Sequence, residues 1–324
     1  MDSSAPAASG VVKLLSPKGL EVSILSRGAT IAALKVPAGT AKKNVVLGYT
    51  DLGLYDTDPY YLGATVGRYA NRIGGGRFAL SGETFQLATQ ENGHCLHGGV
   101  DGLNRRRFAL DVAADGQSVT CRYVSPDGDQ GFPGTLEVIV RYEIVDDMSL
   151  AIAYEATTDR TTIVNLTNHA YFNLEGDGAA IDDHYLSLNT SAMTEVDDEM
   201  IPTGALKSVG STALDFRAEQ RIGDVLNAQG GIDTNFVIDR GAQELVLAGT
   251  LYSPKSGVRL AVQTTQPGVQ VFTGQNLVSP FRTYGAVCLE TQNFPDAPNH
   301  TQFPSATLEP GDIYRHKTIL AFTT

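Results

Sequence analysis

Residues 135–144 read TLEVIVRYEI, and the alternation in this stretch decides the fold class. Leu136, Val138, Val140, Tyr142 and Ile144 fall on one side of an extended chain. Glu137, Arg141 and Glu143 fall on the other, with Ile139. Successive strand side chains point to opposite faces, so the pattern is that of a half-buried antiparallel strand. The same period recurs outward from it. Residues 149–156 place Leu150, Ile152 and Tyr154 together, residues 257–264 place Val258, Leu260 and Val262 together, and Val119, Cys121 and Tyr123 repeat the spacing. Turn signals punctuate the runs at Ser81-Gly82, Asp115-Gly116, Pro126-Asp127-Gly128 and Pro310-Gly311. Helical periodicity is scarce. A short helix is expected near 217–229 (RAEQRIGDVLNAQ), ended by Gly230-Gly231, with a few helical turns near 51–58. Many strands and few helices predict an all-β fold, a large antiparallel β-sandwich. No linker or composition break divides the 324 residues, and no repeat of solenoid or propeller type is present. Residues 11–324 are expected to form a single domain behind a loose polar tail over residues 1–10.

Charge narrows the possible partners. Lys and Arg number 24 against 36 Asp and Glu, a formal net charge of −12 with no basic run. Such a chain is unsuited to phosphate backbones or anionic lipid, so neither nucleic acid nor membrane is an expected partner. No apolar run reaches the roughly 20 residues of a membrane-spanning helix. The first ten residues, MDSSAPAASG, lack the basic and apolar regions of a secretion signal. The three cysteines, Cys95, Cys121 and Cys288, are too few and odd in number for a disulfide framework. Both features predict a cytoplasmic protein. The sequons at Asn165, Asn189 and Asn299 are then read as chance matches.

Five stretches are too polar, Gly-rich or aromatic for plain strands. They are GRYANRIGGGRF (67–78), HCLHGG (94–99), NLTNHAYFNL (165–174), GGIDTNFVI (230–238) and CLETQNFPDAPN (288–299). Each adjoins a strand, where a rigid scaffold can aim a loop. Gly74–Gly76 lacks the Lys-Ser/Thr and the following helix of a phosphate loop. His94, Cys95 and His97 lack the second ligand cluster of a zinc site, so no metal is expected. Taken singly, His169 reads as a buried core histidine, and Glu290 as the partner of Arg282 in an ordinary salt bridge. Taken together the segments say more. Two of the six histidines, the carboxylates Asp233 and Glu290, Arg72 and Asn71 suit a polyhydroxylated ligand with proton transfer.

In chain order the motifs are Gly67-Arg68 with Asn71-Arg72-Ile73, Leu96-His97-Gly98-Gly99, Gly131-Phe132-Pro133-Gly134, and Thr167-Asn168-His169-Ala170-Tyr171-Phe172-Asn173-Leu174. Asp233 with Asn235-Phe236 follows, then Pro267-Gly268-Val269-Gln270 with Thr273-Gly274, then Leu289-Glu290-Thr291-Gln292-Asn293 with Pro295-Asp296-Ala297. In these the sequence resembles the galactose mutarotases, or aldose 1-epimerases, from the strand at 20–36 to that at 318–323. The resemblance implies a β-supersandwich, a monomer or weak dimer, that interconverts α and β anomers of free aldohexoses such as galactose and glucose without a cofactor. By matching position it implies Glu290 as general base and His169 as general acid. His97, Asn71, Arg72, Asp233 and Gln270 would bind the sugar. The chain departs from the family pattern at Thr234, Gln266 and Phe294, where many members carry His, Glu, and Trp or Leu. The segment between Leu277 and Ala286 is short. These positions bear on substrate preference.

The chemistry fits the residue types. A base removes the C1 hydroxyl proton and an acid protonates the ring oxygen. The C1–O5 bond opens to an aldehyde, rotation about C1–C2 exposes its other face, and re-closure gives the other anomer. Glutamate must start ionised and histidine protonated, an order that ordinary values of about 4.3 and 6.5 favour. Asp233 nearby would raise the histidine value. Tyr171 and Phe172 are either walls for the sugar's apolar face or core. Three other readings stay open at this point. A hexose 6-phosphate epimerase would need extra cations, for which Arg105-Arg106-Arg107 is the basic cluster. A glycoside hydrolase would use Asp233 and Glu290 as its carboxylate pair. A non-catalytic sugar-binding protein would share the fold.

Overall fold

Leu136–Asp146 forms an eleven-residue strand, and its inward side chains are those of the predicted face. Val140 lies opposite Cys121 on one neighbour and Tyr154 on the other, and Tyr142 opposite Val119 and Ile152. These cross-strand apolar contacts fix the register, since a one-residue slip would turn Glu137, Arg141 and Glu143 into the core. The sheet built outward from them has nine antiparallel strands. It runs from Ala109–Val112 through Ser118–Ser125, Leu136–Asp146, Ser149–Thr158, Tyr314–Thr323, Arg259–Thr264, Val246–Tyr252 and Tyr185–Leu188 to Gln220–Arg221. The computed structural model describes residues 10–176 and 178–324. Apart from Gly10, the tail expected over residues 1–10 lies outside the described residues.

Two further sheets cover the apolar face. Four strands at the start of the chain, Val11–Leu15, Glu21–Leu25, Thr30–Ala38 and Ala41–Asn44, form one. The other has six, ordered Tyr171–Phe172, Val287–Gln292, Gly268–Phe272, Asp233–Ile238, Thr190–Val196 and Pro202–Ser208. One continuous core joins them: Val138, Val140 and Ile152 of the large sheet, Ile24 and Leu34 of the first cover, Val269, Val271 and Leu289 of the second. This is the large β-sandwich expected from the alternation. The six-stranded sheet differs in having no simple solvent face. Its apolar side enters the core, and its other side carries Asp233, Gln270, Glu290 and Tyr171.

Local signals behave as read. Ser81 and Gly82 take positive φ values of 51° and 82°, turning a two-residue hairpin that stacks Phe78 on Phe85. Leu52–Asp56 is a short 3₁₀ helix, and the Asp51 carboxylate accepts the Gly53 N–H at 2.9 Å. The α-helix is a correction. It covers Ile222–Gln229, not 217–229, and ends at Gly230 as predicted. Arg217 folds back on Asp215 at 2.6 Å, and Gln220–Arg221 pairs with Tyr185–Leu186 at the sheet edge. Strand pairing thus claims residues whose spacing alone suits a helix. Among the sequons, Asn165 is buried and its amide donates to the carbonyls of Ala70 and Asn293, which leaves no room for a glycan.

One buried cation ties the loop at 67–72 to the large sheet. Arg68 donates to Ser125 Oγ, to the Ser125 and Pro126 carbonyls, and to those of Pro133 and Gly134, all at 2.8–3.1 Å. The Gly131–Gly134 motif therefore contributes two of the acceptors, the Pro133 and Gly134 carbonyls. Arg68→Met leaves these acceptors unpaired, and should destabilise the fold by about 3–5 kcal/mol. A urea titration reads this as a lower midpoint at unchanged slope, and an unmoved midpoint would remove Arg68 from the framework.

Candidate active site

The polar side of the six-stranded sheet is set by register. Gln270 is paired with Glu290 on one side and with Asn235 on the other. Asp233 lies two residues from Asn235 and opposite Phe272, and Tyr171 lies opposite Cys288. Residues two apart share a face, so these side chains project together while Phe236, Val271 and Leu289 enter the core. Two loops close over this row. The first carries Asn71 and Arg72, and the second His97.

The Leu-His-Gly-Gly motif owes its glycines to this closure. A Cβ on Gly98 would stand 1.8 Å from the Gly67 carbonyl oxygen, and φ there is +88°. Only glycine fits that approach. His97 itself is held at φ 50° and Asn71 at φ 64°. The two grip each other: the His97 N–H donates to the Asn71 carbonyl at 3.0 Å, and the Asn71 N–H donates to His97 Nδ1 at 3.2 Å. An Nδ1 that accepts fixes the neutral ring with its proton on Nε2. Burial, with His169 and Arg72 nearby, holds the His97 pKa well below 6.5, so this ring is a neutral donor.

The cleft so formed measures about 110 Å³ and is lined by Asn71, Arg72, His97, His169, Tyr171, Asp233 and Glu290 among others. Six of the seven predicted site residues meet there. Gln270 stands behind them. It is buried, and its amide donates to Asp233 Oδ1 at 2.5 Å, so it orients the carboxylate from below. Arg72 approaches Asp233 from the cleft side at 3.6 Å. Tyr171 lines the cleft while Phe172 belongs to the core. Grooves of about 440 and 650 Å³ lie elsewhere, but their carboxylates, Asp312 and Asp51, are exposed.

His169 Nε2 lies 3.6 Å from Glu290 Oε1, with both side chains almost wholly buried. Glu290 does not meet Arg282, the partner a surface salt bridge would have required. Its other oxygen, Oε2, is buried with no hydrogen-bond partner. Burial pushes the Glu290 pKa well above 4.5, Asp233 adds to the rise, and Arg72 opposes it. Burial pulls the His169 pKa down to about 4. This corrects the expected order of ionised glutamate and protonated histidine. The dry site favours the neutral form of both groups, and Asp233 does not lift the histidine. At this separation the pair titrates as a unit, with one proton to share.

Pro59, Tyr60, Tyr61, Phe272 and Asn276 also line the cleft and were missed in the sequence. Tyr61 packs 4.8 Å from the His97 ring and 5.7 Å from the His169 ring, at φ 59°. Asp58 holds its loop by accepting the N–H groups of Tyr60 and Leu62 and the Tyr49 hydroxyl. The signal available was an aromatic pair after proline with no strand period. Among the described residues, His97, His169 and Glu290 are the ones that come close enough together to hold a metal ion. Their ligand atoms lie within 4.8 Å of one another, with His169 Nε2 3.6 Å from Glu290 Oε1, against about 3.3 Å between ligands of tetrahedral zinc with 2.0–2.1 Å bonds. That spacing suits a hydroxyl group set between a carboxylate and two imidazoles.

Known proteins match both sequence and fold. The family profile described as Aldose 1-epimerase covers residues 10–321. The chain is 40% identical to the galactose mutarotase of Bos taurus, over 94% of this chain and 91% of that protein. It is 33% identical to the aldose 1-epimerase of Escherichia coli K12, over 96% and 94% of the two. The crystal structure of a GalM/aldose epimerase homologue from C. elegans superposes with a TM-score of 0.92 at 30% identity, covering 97% of this chain and 98% of that one. With the polar sheet face, the two closing loops and the motifs all in their expected order, the chain belongs to the aldose 1-epimerase family.

Proposed function

We propose that this protein interconverts the α and β anomers of free aldoses such as galactose and glucose, with Glu290 as general base and His169 as general acid. The observation that carries the assignment is the orphan Oε2 of Glu290, a buried acceptor in the cleft beside an imidazole. A buried carboxylate oxygen without a donor is costly, and a sugar hydroxyl supplies one. Arg72 and that hydroxyl both favour the ionised carboxylate, so binding shifts the shared proton toward His169. Glu290 then takes the C1 hydroxyl proton, and His169 Nε2 gives its proton to O5 as the C1–O5 electron pair moves to O5. After rotation about C1–C2 both transfers run backward and the ring closes.

The opened state carries a protonated glutamate and a neutral histidine, the pair that burial favours. Desolvation therefore stabilises the intermediate relative to the charged pair that starts the reaction, which lowers the barrier to opening. Arg72, Asp233 and the Nε2–H of His97 supply fixed donors and an acceptor for the remaining hydroxyls. The wall of Tyr60, Tyr61 and Phe272 suits a sugar's C–H face. Among the described residues, Arg72 is the one arginine or lysine lining the cleft, and it already faces Asp233. Arg106 is paired with Asp101 and Asp129, and Arg107 approaches Asp56. This supports a free sugar over a sugar phosphate. Among the described residues no helix is long and apolar enough to cross a membrane. A cytoplasmic location is part of the same proposal, supported by three buried free thiols, and a monomer or weak dimer is proposed with it.

Polarimetry of freshly dissolved α-D-galactose and α-D-glucose tests the reading. The protein should speed relaxation to the same final rotation, and Glu290→Gln and His169→Asn should each slow it by about 10²-fold or more. Sugar binding without anomer exchange would instead identify a sugar-binding protein. The pH profile is the second measurement. The one-proton pair is lost to protonation as pH falls through about 4 and to deprotonation as pH rises through the raised glutamate value. The acid limb of kcat/KM should thus lie near 4, with activity kept between there and 6.5, the ordinary histidine value. A limb at 6.5 would show that His169 is not held by burial. Gln270→Leu should raise KM by about tenfold with a smaller change in kcat, because it frees Asp233 without touching the acid–base pair.

A further inference from the structure

The two ring nitrogens of His169 meet two residues of one strand. Nε2 lies 3.6 Å from Glu290 Oε1, and Nδ1 lies 3.6 Å from Cys288 Sγ. Cys288 and Glu290 are two apart in Val287–Gln292, so they share a face and bracket the imidazole from either side. The ring plane is fixed by Tyr61 at 5.7 Å, Tyr171 at 5.1 Å and the edge of His97 at 5.1 Å. All three flanking groups, thiol, imidazole and carboxylate, are buried.

We propose that Cys288 is a positioning residue whose sulfur accepts a hydrogen bond from His169 Nδ1–H and so keeps the exchanging site at Nε2. The inference rests on the acid–base assignment above. Anomer exchange runs in both directions through the same atoms. On opening, the Nε2 proton passes to O5 and the Nδ1 proton stays. On closure, Nε2 must take the O5 proton back, which it can do only if the neutral ring holds its remaining proton on Nδ1. A buried Nδ1–H needs an acceptor. The ring's own backbone carbonyl, which also accepts the Gly63 N–H at 3.0 Å, is a second group that favours the protonated ring. Cys288 Sγ is the side-chain partner that the structure gives this nitrogen. No bond to sulfur forms and its oxidation state does not change.

The choice of sulfur has a consequence. Burial, with Glu290 and Asp233 nearby, keeps the thiol pKa well above 9, so the sulfur stays a neutral, weak acceptor. A carboxylate in its place would hold the ring as imidazolium and resist release of the Nε2 proton. The thiol sets the tautomer and leaves the basicity low.

Nitrogen-15 correlation spectra of histidine-labelled protein at neutral pH, with His169 assigned by its loss in His169→Asn, read the tautomer directly. The native ring should carry its proton on Nδ1. Cys288→Ser, which restores an acceptor, should keep that tautomer, whereas Cys288→Ala should mix or reverse it. Loss of one hydrogen bond should lower kcat of the alanine variant about tenfold with KM within about twofold, and serine should recover most of the rate. A native Nε2–H tautomer overturns the proposal. So does a folded Cys288→Ala protein with native kcat and tautomer, or a serine variant as slow as alanine with the tautomer unmoved. If Glu290→Gln keeps the native rate, the acid–base assignment fails instead, and the spectra still decide the role of the thiol.

Discussion

The pairing of Gln270 with Glu290 across two antiparallel strands is the constraint on which the site depends. Strand side chains alternate, so this register sends Glu290, Cys288 and Gln292 to one face and Leu289 and Thr291 to the other. A slip of one residue would bury the carboxylate beside Val269 and Val271 and turn Leu289 toward the cleft. The apolar core therefore holds Glu290 in place indirectly. It does so by making every other register expensive, through contacts with the nine-stranded sheet that lie away from the chemistry.

The same sheet face explains why His169 and Glu290 are perturbed together. A polar row on a sheet would ordinarily be wet. Here the loops at 67–72 and 95–99 and the aromatic segment at 59–62 cover it. Each is anchored from outside the cleft: Arg68 on carbonyls of Ser125 and of the connection that follows it, Gly98 against the Gly67 carbonyl, Asp58 on the N–H groups of Tyr60 and Leu62. Water exclusion follows from these anchors. It raises the glutamate, lowers the histidine, and leaves one proton between them.

Much of this was legible in the chain. The face of 136–144, the Ser81-Gly82 hairpin and the helix stop at Gly230 follow from period and turn chemistry, which are local. The site residues were legible as dense motifs, and family resemblance supplied their roles. What stayed hidden is tertiary. Residues 217–221 have helical spacing, but Arg217 is held by Asp215 and Gln220–Arg221 by pairing with Tyr185–Leu186. Tyr60 and Tyr61 matter because a loop folds over two histidines from other segments. Gln270 belongs to the site motifs, yet only the cross-strand geometry places it beneath Asp233. The protonation order was reversed because ordinary pKa values describe groups in water, and these two are dry.

A symmetrical task also limits what the site can contain. Both anomers must enter and leave, so the enzyme gains nothing from holding one of them tightly at C1. Groups that swap roles must stay close in proton affinity throughout the cycle. A strong fixed charge against either partner would favour one direction of transfer and slow the other. The structure keeps its permanent charges, Arg72 and Asp233, paired with each other across part of the cleft. Their effects on Glu290 oppose each other, and the groups packed directly on His169 are neutral: an imidazole fixed by a backbone N–H, tyrosine rings and a thiol. On the proposed assignment, opposed fixed charges to one side and a buried, otherwise neutral setting where protons move are what a reversible ring opening requires.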